Sequence, residues 1–208
     1  MTTPPTLSDD ELARIIDPDI RQEIGDPVPV ALTATIVYIP LMILGGTLAW
    51  FWQESLPGNL DPLVVGTGVL HGFGAGCILV VLTWLTGARV RALRLLKEEF
   101  RSTLGDISSL QILGLALLSG VAEELLFRGT LQPWLGLSWS AVIFGLLHVV
   151  PNVVYLPWTI FALITGFIFG WLYENCDTLA APITAHITVN WLNLWLIVRG
   201  RRVFSRDS

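Results

Sequence analysis

Two adjacent glutamates and one arginine lie inside a long apolar stretch of this 208-residue sequence. Between positions 107 and 173, Glu123, Glu124 and Arg128 are the only residues with full charges. Even on a lenient insertion scale, an ionisable side chain at membrane depth costs about 2.5 to 3.5 kcal/mol. These three residues are therefore candidates for a functional site.

Helical geometry separates the roles of the two glutamates. Neighbouring residues on a helix point about 100° apart, so the two carboxylates cannot face one target. Arg128 lies four residues beyond Glu124 and hence on nearly the same helical face. We predict a buried Glu124–Arg128 ion pair and a Glu123 that is free for general acid-base work. The alternative is a purely structural ion pair with a spare glutamate near the membrane interface.

Two of the three histidines also lie in apolar segments. His148 ends the run Phe144-Gly-Leu-Leu-His, and His186 lies four residues before Asn190. Because four residues make about one helical turn, His186 and Asn190 should share a face and could together stabilise a developing oxyanion. His71 lacks such neighbours, and we expect it to be structural.

These residues resemble the motifs of the CAAX prenyl endopeptidases and bacteriocin-processing or immunity proteins, often called the CPBP or Abi family. The family carries three motifs on separate membrane helices. They are Glu-Glu and Arg, Phe and His, and His and Asn, with three residues between the two parts of each motif. All three occur here in order within about residues 110–195, as Glu123-Glu124 with Arg128, Phe144 with His148, and His186 with Asn190.

The resemblance implies an intramembrane endopeptidase that acts on a membrane-associated protein or peptide. By this resemblance, Glu123 and His148 would activate a water. His186 and Asn190 would stabilise the oxyanion, and Glu124 and Arg128 would support the site. No Ser or Cys accompanies these motifs, so water is the expected nucleophile and no cofactor is expected.

Three other readings remain open at this stage. A zinc ion could lie between His148, His186 and a glutamate, although the spacing lacks the HExxH pattern of zinc peptidases. The same groups could form the proton relay of a carrier, although no paired broken helices of an inverted repeat are visible. The chain could also be a non-catalytic immunity or scaffold protein of the same family.

The composition indicates that lipid surrounds these motifs. Hydrophobic residues make up 53% of the chain and charged residues 14%, and the mean hydropathy is +0.65. Soluble domains contain about 25% charged residues. Cys77 and Cys176 form no CxxC motif, and we expect them to be packing residues. The expected partners are therefore the lipid bilayer and a membrane-associated substrate, without nucleic acid.

Apolar runs predict an all-α fold, a polytopic transmembrane bundle of about six membrane segments. The segments are 28–52, 62–86, 107–127, 139–150, 155–173 and 183–198. Five basic residues between positions 89 and 101 alternate with apolar ones, which predicts a basic amphipathic helix at the membrane interface. The stretch 128–136, with one proline and two glycines, could be re-entrant, interfacial or an outer loop.

The termini differ in charge from the predicted transmembrane domain, 28–198. The N-terminal tail, 1–27, carries seven of the seventeen acids, and Ser8 with Glu11 predicts a short capped helix there. The C-terminal tail, 199–208, is basic. Eleven of the twelve basic residues lie in the two tails and the loop 87–106, so the positive-inside rule places both termini in the cytoplasm.

Cysteine labelling tests this orientation. In a background without Cys77 and Cys176, the single changes Asn59→Cys and Ser205→Cys would be treated with an impermeant thiol reagent in intact cells. We expect label at position 59 and none at position 205, because only the outer loop is accessible. Label at position 205 but not at position 59 would reverse the topology.

Overall fold

The computed structural model describes residues 30–53 and 58–204, and the long elements within those residues are all helices. They are α1 Val30–Gln53, α2 Pro62–Arg89, α3 Arg91–Leu104, α4 Ser109–Leu126, α5 Gln132–Leu146, α6 Leu156–Cys176 and α7 Ala180–Phe204. A π-helical turn, Phe127–Leu131, joins α4 to α5, and a short 3-10 turn, Val153–Tyr155, precedes α6. The predicted all-α helix bundle is confirmed.

Local sequence explains two of the helix starts. Ser108 and Gln111 form a reciprocal capping box at α4, in which each side chain satisfies the other residue's backbone N–H. Asp61 caps α2 by accepting from the N–H groups of Leu63 and Val64. The acidic tail and the predicted helix near Ser8 lie outside the described residues.

Five helical stretches of the described chain are long and apolar enough to cross a bilayer. One of them, Ser109–Leu146, has 38 residues, or about 57 Å at 1.5 Å per residue, against a hydrocarbon core of about 30 Å. It is broken at Gly136, whose φ of 78° lies in a region that favours glycine. Beyond that break the chain folds back toward the end of α4. The ring centroids of Phe127 and Phe144 consequently lie only 4.9 Å apart.

The 38-residue stretch therefore contains two of the six predicted membrane segments. The stretch 128–136, for which the sequence left a re-entrant, an interfacial and an outer position open, is helical up to the reversal at Gly136. The helices also run further than predicted, since α5 begins at Gln132 and α7 continues to Phe204. With its apolar spans, the protein is an integral membrane protein.

Small residues allow α2 and α7 to approach closely. Gly68, Gly72 and Gly76 recur every fourth residue on one face of α2. A Cβ added to Gly72 would collide with the carbonyl oxygen of Ala181 and lie 3.1 Å from the backbone nitrogen of Ala185. Small-xxx-small patterns of this kind favour close packing of helices in membranes.

A second close contact joins α1 to α4. A Cβ added to Gly45 would lie 2.8 Å from the backbone nitrogen of Leu126. The hydroxyl of Thr130 donates to the carbonyl of Gly45 over 3.0 Å, in the buried interior. The N-terminal helix α1 is thereby fixed against the helix that carries both glutamates.

Two hydrogen bonds to backbone carbonyls define the two ends of the bundle. At one end the N–H of Asn59 donates to the carbonyl of Asp177 over 2.7 Å. At the other end the Nε atom of Arg101 donates to the carbonyl of Ile197 over 2.9 Å, which places basic helix α3 beside the C-terminal part of α7. This agrees with the predicted arrangement of the loops, while the cytoplasmic orientation stays a prediction.

Alanine substitutions test the α2–α7 contact. Gly72→Ala should lower the melting temperature in detergent, because overpacking against backbone costs about 1 to 3 kcal/mol. Gly74→Ala is the matched control on the same helix, where an added Cβ meets nothing within 4 Å. We expect the control to be neutral or up to about 1 kcal/mol more stable. Equal effects at both positions would contradict the close approach.

Candidate active site

Five of the predicted residues converge between α4, α5, α6 and α7, and we call them the polar cluster. Both glutamates lie in the last turn of α4, and the arginine lies in the π-helical turn. The first histidine follows α5, and the second lies within α7. The members are Glu123, Glu124, Arg128, His148 and His186. π-Helical turns are rare and are frequently found at functional sites.

The centre of the cluster is the predicted ion pair. An Nη1–Oε1 distance of 3.0 Å joins Arg128 to Glu124, and both side chains are 0% exposed. The other guanidinium nitrogen, Nη2, donates to the carbonyl of Gly166 on α6 over 2.8 Å. The guanidinium also lies 4.8 Å from the ring centroid of Phe144, where cation–π attraction adds to the pairing. The buried cation is thus held by a carboxylate, a carbonyl and a ring face.

His186 is oriented by the same carboxylate. Its Nδ1 atom lies 2.8 Å from Oε1 of Glu124, the oxygen that also accepts from Arg128. The imidazole packs against Phe169, with ring centroids 5.2 Å apart. An imidazole whose Nδ1–H donates to a carboxylate is held in one orientation. The Nε2 atom then points to Glu123, at 3.9 Å from Oε2.

His148 has a different partner. Its Nδ1 atom lies 2.7 Å from the carbonyl oxygen of Phe144, and a carbonyl only accepts, so Nδ1 carries the proton. In its neutral form His148 would present the lone pair of Nε2, which lies 3.8 Å from Oε2 of Glu123. The Trp158 ring contacts the imidazole at 4.9 Å, and the Thr159 hydroxyl donates to the carbonyl of His148 over 2.8 Å.

The position of His148 differs from the prediction. The sequence places it inside the segment 139–150, whereas α5 ends at Leu146 and His148 lies in the turn that follows. The last carbonyls of a helix have no partner within the helix. His148 uses one of them, that of Phe144, and this contact fixes its ring.

Glu123 lies between the two imidazoles. Its Oε2 atom is buried and lacks a hydrogen-bond partner among the described residues. The distances of 3.8 and 3.9 Å to the Nε2 atoms of His148 and His186 exceed a hydrogen bond and are short enough for one water to bridge. A carboxylate and two imidazoles thus converge on one point.

The two imidazoles differ in their surroundings. His186 lies between two carboxylates, with Glu124 at Nδ1 and Glu123 facing Nε2. His148 has a neutral carbonyl at Nδ1 and faces only Glu123 with Nε2.

Asn190 is placed one turn beyond His186, as the spacing predicts, but its amide has another partner. Its Nδ2 atom donates to the hydroxyl of Ser119 over 3.0 Å, and within the described chain no hydrogen bond joins it to the polar cluster. His71 lies apart from the cluster, with its Nδ1 atom 3.8 Å from Sγ of Cys176.

Two polar residues near the cluster were not predicted from sequence. The hydroxyl of Tyr38, on α1, hydrogen-bonds to the side chain of Glu123. Buried Gln132 donates to the carbonyl of Gly170 and to Glu174, each over 3.0 Å. Gln132 follows Arg128 by four residues, and Tyr38 is a polar group within an apolar run, so both had a signal in the sequence.

The arrangement fits a zinc ion poorly. Ligands at about 2.0 to 2.1 Å from a tetrahedral zinc lie about 3.3 Å apart, whereas both imidazole nitrogens lie 3.8 Å or more from Glu123. Glu124 is already used by Arg128 and His186. In the described part of the chain, no group of three or more His, Cys, Asp and Glu side chains has the arrangement of a metal site.

Together, the helical bundle and the polar cluster define a polytopic membrane protein with a buried cluster of acidic and basic side chains. Residues 106–192 match a family model described as type II CAAX prenyl endopeptidase Rce1-like. This segment covers less than half of the chain, contains every predicted site residue and is similar to the CAAX-protease family. The resemblance drawn from the motifs is confirmed, and the family is one of membrane proteases.

One curated relative is similar to part of the chain. The uncharacterized protein YpbD of Bacillus subtilis (strain 168) is 40% identical over 82 residues, which are 38% of this chain and 41% of YpbD. The chain thus matches about two fifths of the length of that relative. No solved structure matches the chain.

Paired substitutions test the central ion pair. Arg128→Met should cost about 3 to 5 kcal/mol, because it leaves the carboxylate of Glu124 buried without its cation. The double change Glu124→Gln with Arg128→Met should lose less, since glutamine is neutral and still accepts from His186. Thermal unfolding in detergent measures both. Additive losses would show that the two side chains do not interact.

Proposed function

We propose that this protein is an intramembrane endopeptidase in which Glu123 and His148 activate a water. The observation that carries this proposal is the convergence of Oε2 of Glu123 with Nε2 of both His148 and His186 in a buried site. Each Nδ1 atom is occupied, so both imidazoles present only Nε2 to the reaction.

The geometry supports a direct attack by water. A water between these atoms gives a proton to Glu123, with His148 accepting a hydrogen bond from it or sharing the proton. The water oxygen then bonds to the carbonyl carbon of the peptide, and the carbonyl oxygen becomes an oxyanion. Transfer of the proton to the peptide nitrogen allows the C–N bond to break and yields a carboxylic acid and an amine.

The oxyanion requires donors in a dry site. Protonated His186 would supply an N–H from Nε2, supported by Glu124 on its other nitrogen. We propose Asn190 as a second donor, because the Nδ2 atom that donates to Ser119 carries another hydrogen. Glu124 and Arg128 support the site by fixing His186 and joining α4 to α6.

We propose a membrane-associated protein or peptide as the substrate, because the cluster lies within apolar helices. The matched family description names prenyl endopeptidases. Farnesylated peptides ending in a CAAX sequence and the same peptides without the lipid are therefore the first probes. Cleavage of only the lipidated form would assign the substrate class, and comparison of membrane peptides from cells with and without an intact site would detect other substrates.

Substitutions within the cluster test catalysis. Glu123→Gln and His148→Ala should each lower turnover by about 100- to 10,000-fold, because each removes a group that moves a proton. His71→Ala is the matched control, since it removes a histidine that lies outside the cluster. All three proteins should remain monodisperse with similar melting temperatures. Full biological function of the Glu123→Gln protein would instead indicate a non-catalytic immunity or scaffold role.

Chelation tests the metal-free mechanism separately. Turnover by the purified protein would be measured after exhaustive chelation, and the zinc content by mass spectrometry. We expect unchanged turnover, because Glu123 and His148 need no metal to exchange a proton with water. Stoichiometric zinc whose removal stops cleavage, and whose return restores it, would establish the zinc mechanism instead.

A further inference from the structure

Helix α1 lies outside the segment that matches the family, yet it runs along the helix that carries the catalytic glutamate. Thr130 donates to the carbonyl of Gly45, a contact between residues 85 positions apart. Tyr38 and Glu123 are also 85 positions apart. Tyr38 lies seven residues before Gly45, and Glu123 lies seven residues before Thr130. Seven residues are about two helical turns, so the same helix pairing brings Tyr38 to Glu123.

The face of α1 that carries Tyr38 is the packed one. Ala34 and Ala49 are 6% and 1% exposed, and Gly45 is buried. These three residues and Tyr38 are spaced by four, seven and four positions, which keeps them on one helical face. Residues on the opposite side, such as Ile36 and Ile43, are exposed, as expected of a surface toward lipid.

The Tyr38 hydroxyl hydrogen-bonds to the Glu123 side chain. The Oε2 atom of that carboxylate faces His148 and His186 and has no hydrogen-bond partner among the described residues. A glutamate side chain has three rotatable bonds, so a partner on one side limits the directions that its other oxygen takes. Tyr38 is well placed to provide this restraint.

We propose that Tyr38 is a positioning residue of the active site, whose hydroxyl donates to Glu123 and holds its Oε2 atom toward the two imidazoles. The inference rests on the proposed function, because Glu123 must be the base for its orientation to affect the reaction. It extends the active site to α1. The hydroxyl also supplies a donor to a charged group in a site with little water, where such hydrogen bonds are strongest.

Removal of the hydroxyl alone tests this role. Tyr38→Phe should lower kcat by about 10- to 100-fold with little change in KM, since a hydrogen bond to a charged group is lost while the ring still packs. Tyr155→Phe is the matched control and removes a hydroxyl that lies 3.5 Å from Thr103 at the basic end of the bundle. A fall in kcat for both variants, or for neither, would overturn the proposal.

A second measurement does not depend on activity. Melting temperatures of Tyr38→Phe, Glu123→Met and the double variant give the coupling between the two side chains. We expect the double variant to be more stable than the sum of the single losses predicts. If the melting temperatures show coupling but the wild-type protein cleaves none of the substrates, the proposed function is overturned and the contact between Tyr38 and Glu123 is kept. Absence of coupling would overturn the role of Tyr38, whatever the fate of the proposed function.

Discussion

A fully buried guanidinium is the constraint on which the rest of the site depends. Arg128 has no access to water, so its charge must be balanced inside the bundle. Glu124 provides the charge, and the carbonyl of Gly166 takes a second donor. Because Glu124 also holds His186, one cation fixes the relative positions of α4, α6 and α7. The geometry of the polar cluster follows from this requirement.

Contacts between residues that lie close together along one helix could be predicted from the sequence. Glu124 and Arg128 meet because positions four apart share a helical face, and Glu123 points elsewhere for the same reason. The apolar spans could also be predicted, since lipid permits only segments whose backbone groups are satisfied internally. These inferences need no knowledge of which helices are neighbours.

Features that depend on which helices pack against each other could not be predicted from the sequence. Asn190 shares a turn with His186, yet its amide goes to Ser119 because α4 and α7 cross there. His148 follows its helix instead of lying within it, since the chain reverses at Gly136 and returns beside the π-helical turn. A single glycine with positive φ decides that reversal, and sequence alone does not distinguish it from a loop.

The two histidines illustrate how similar side chains acquire opposite roles. Each uses Nδ1 for a partner and turns Nε2 toward Glu123, but the partner is a neutral carbonyl for His148 and a carboxylate for His186. A carboxylate stabilises the imidazolium, whereas a carbonyl leaves a neutral ring with a free lone pair. The site can thus present a proton acceptor and a proton donor on two sides of one carboxylate. The hydrolysis proposed above needs both, one to remove a proton from the nucleophile and one to stabilise the oxyanion. The carboxylate that distinguishes His186 from His148 is the one that pairs with Arg128.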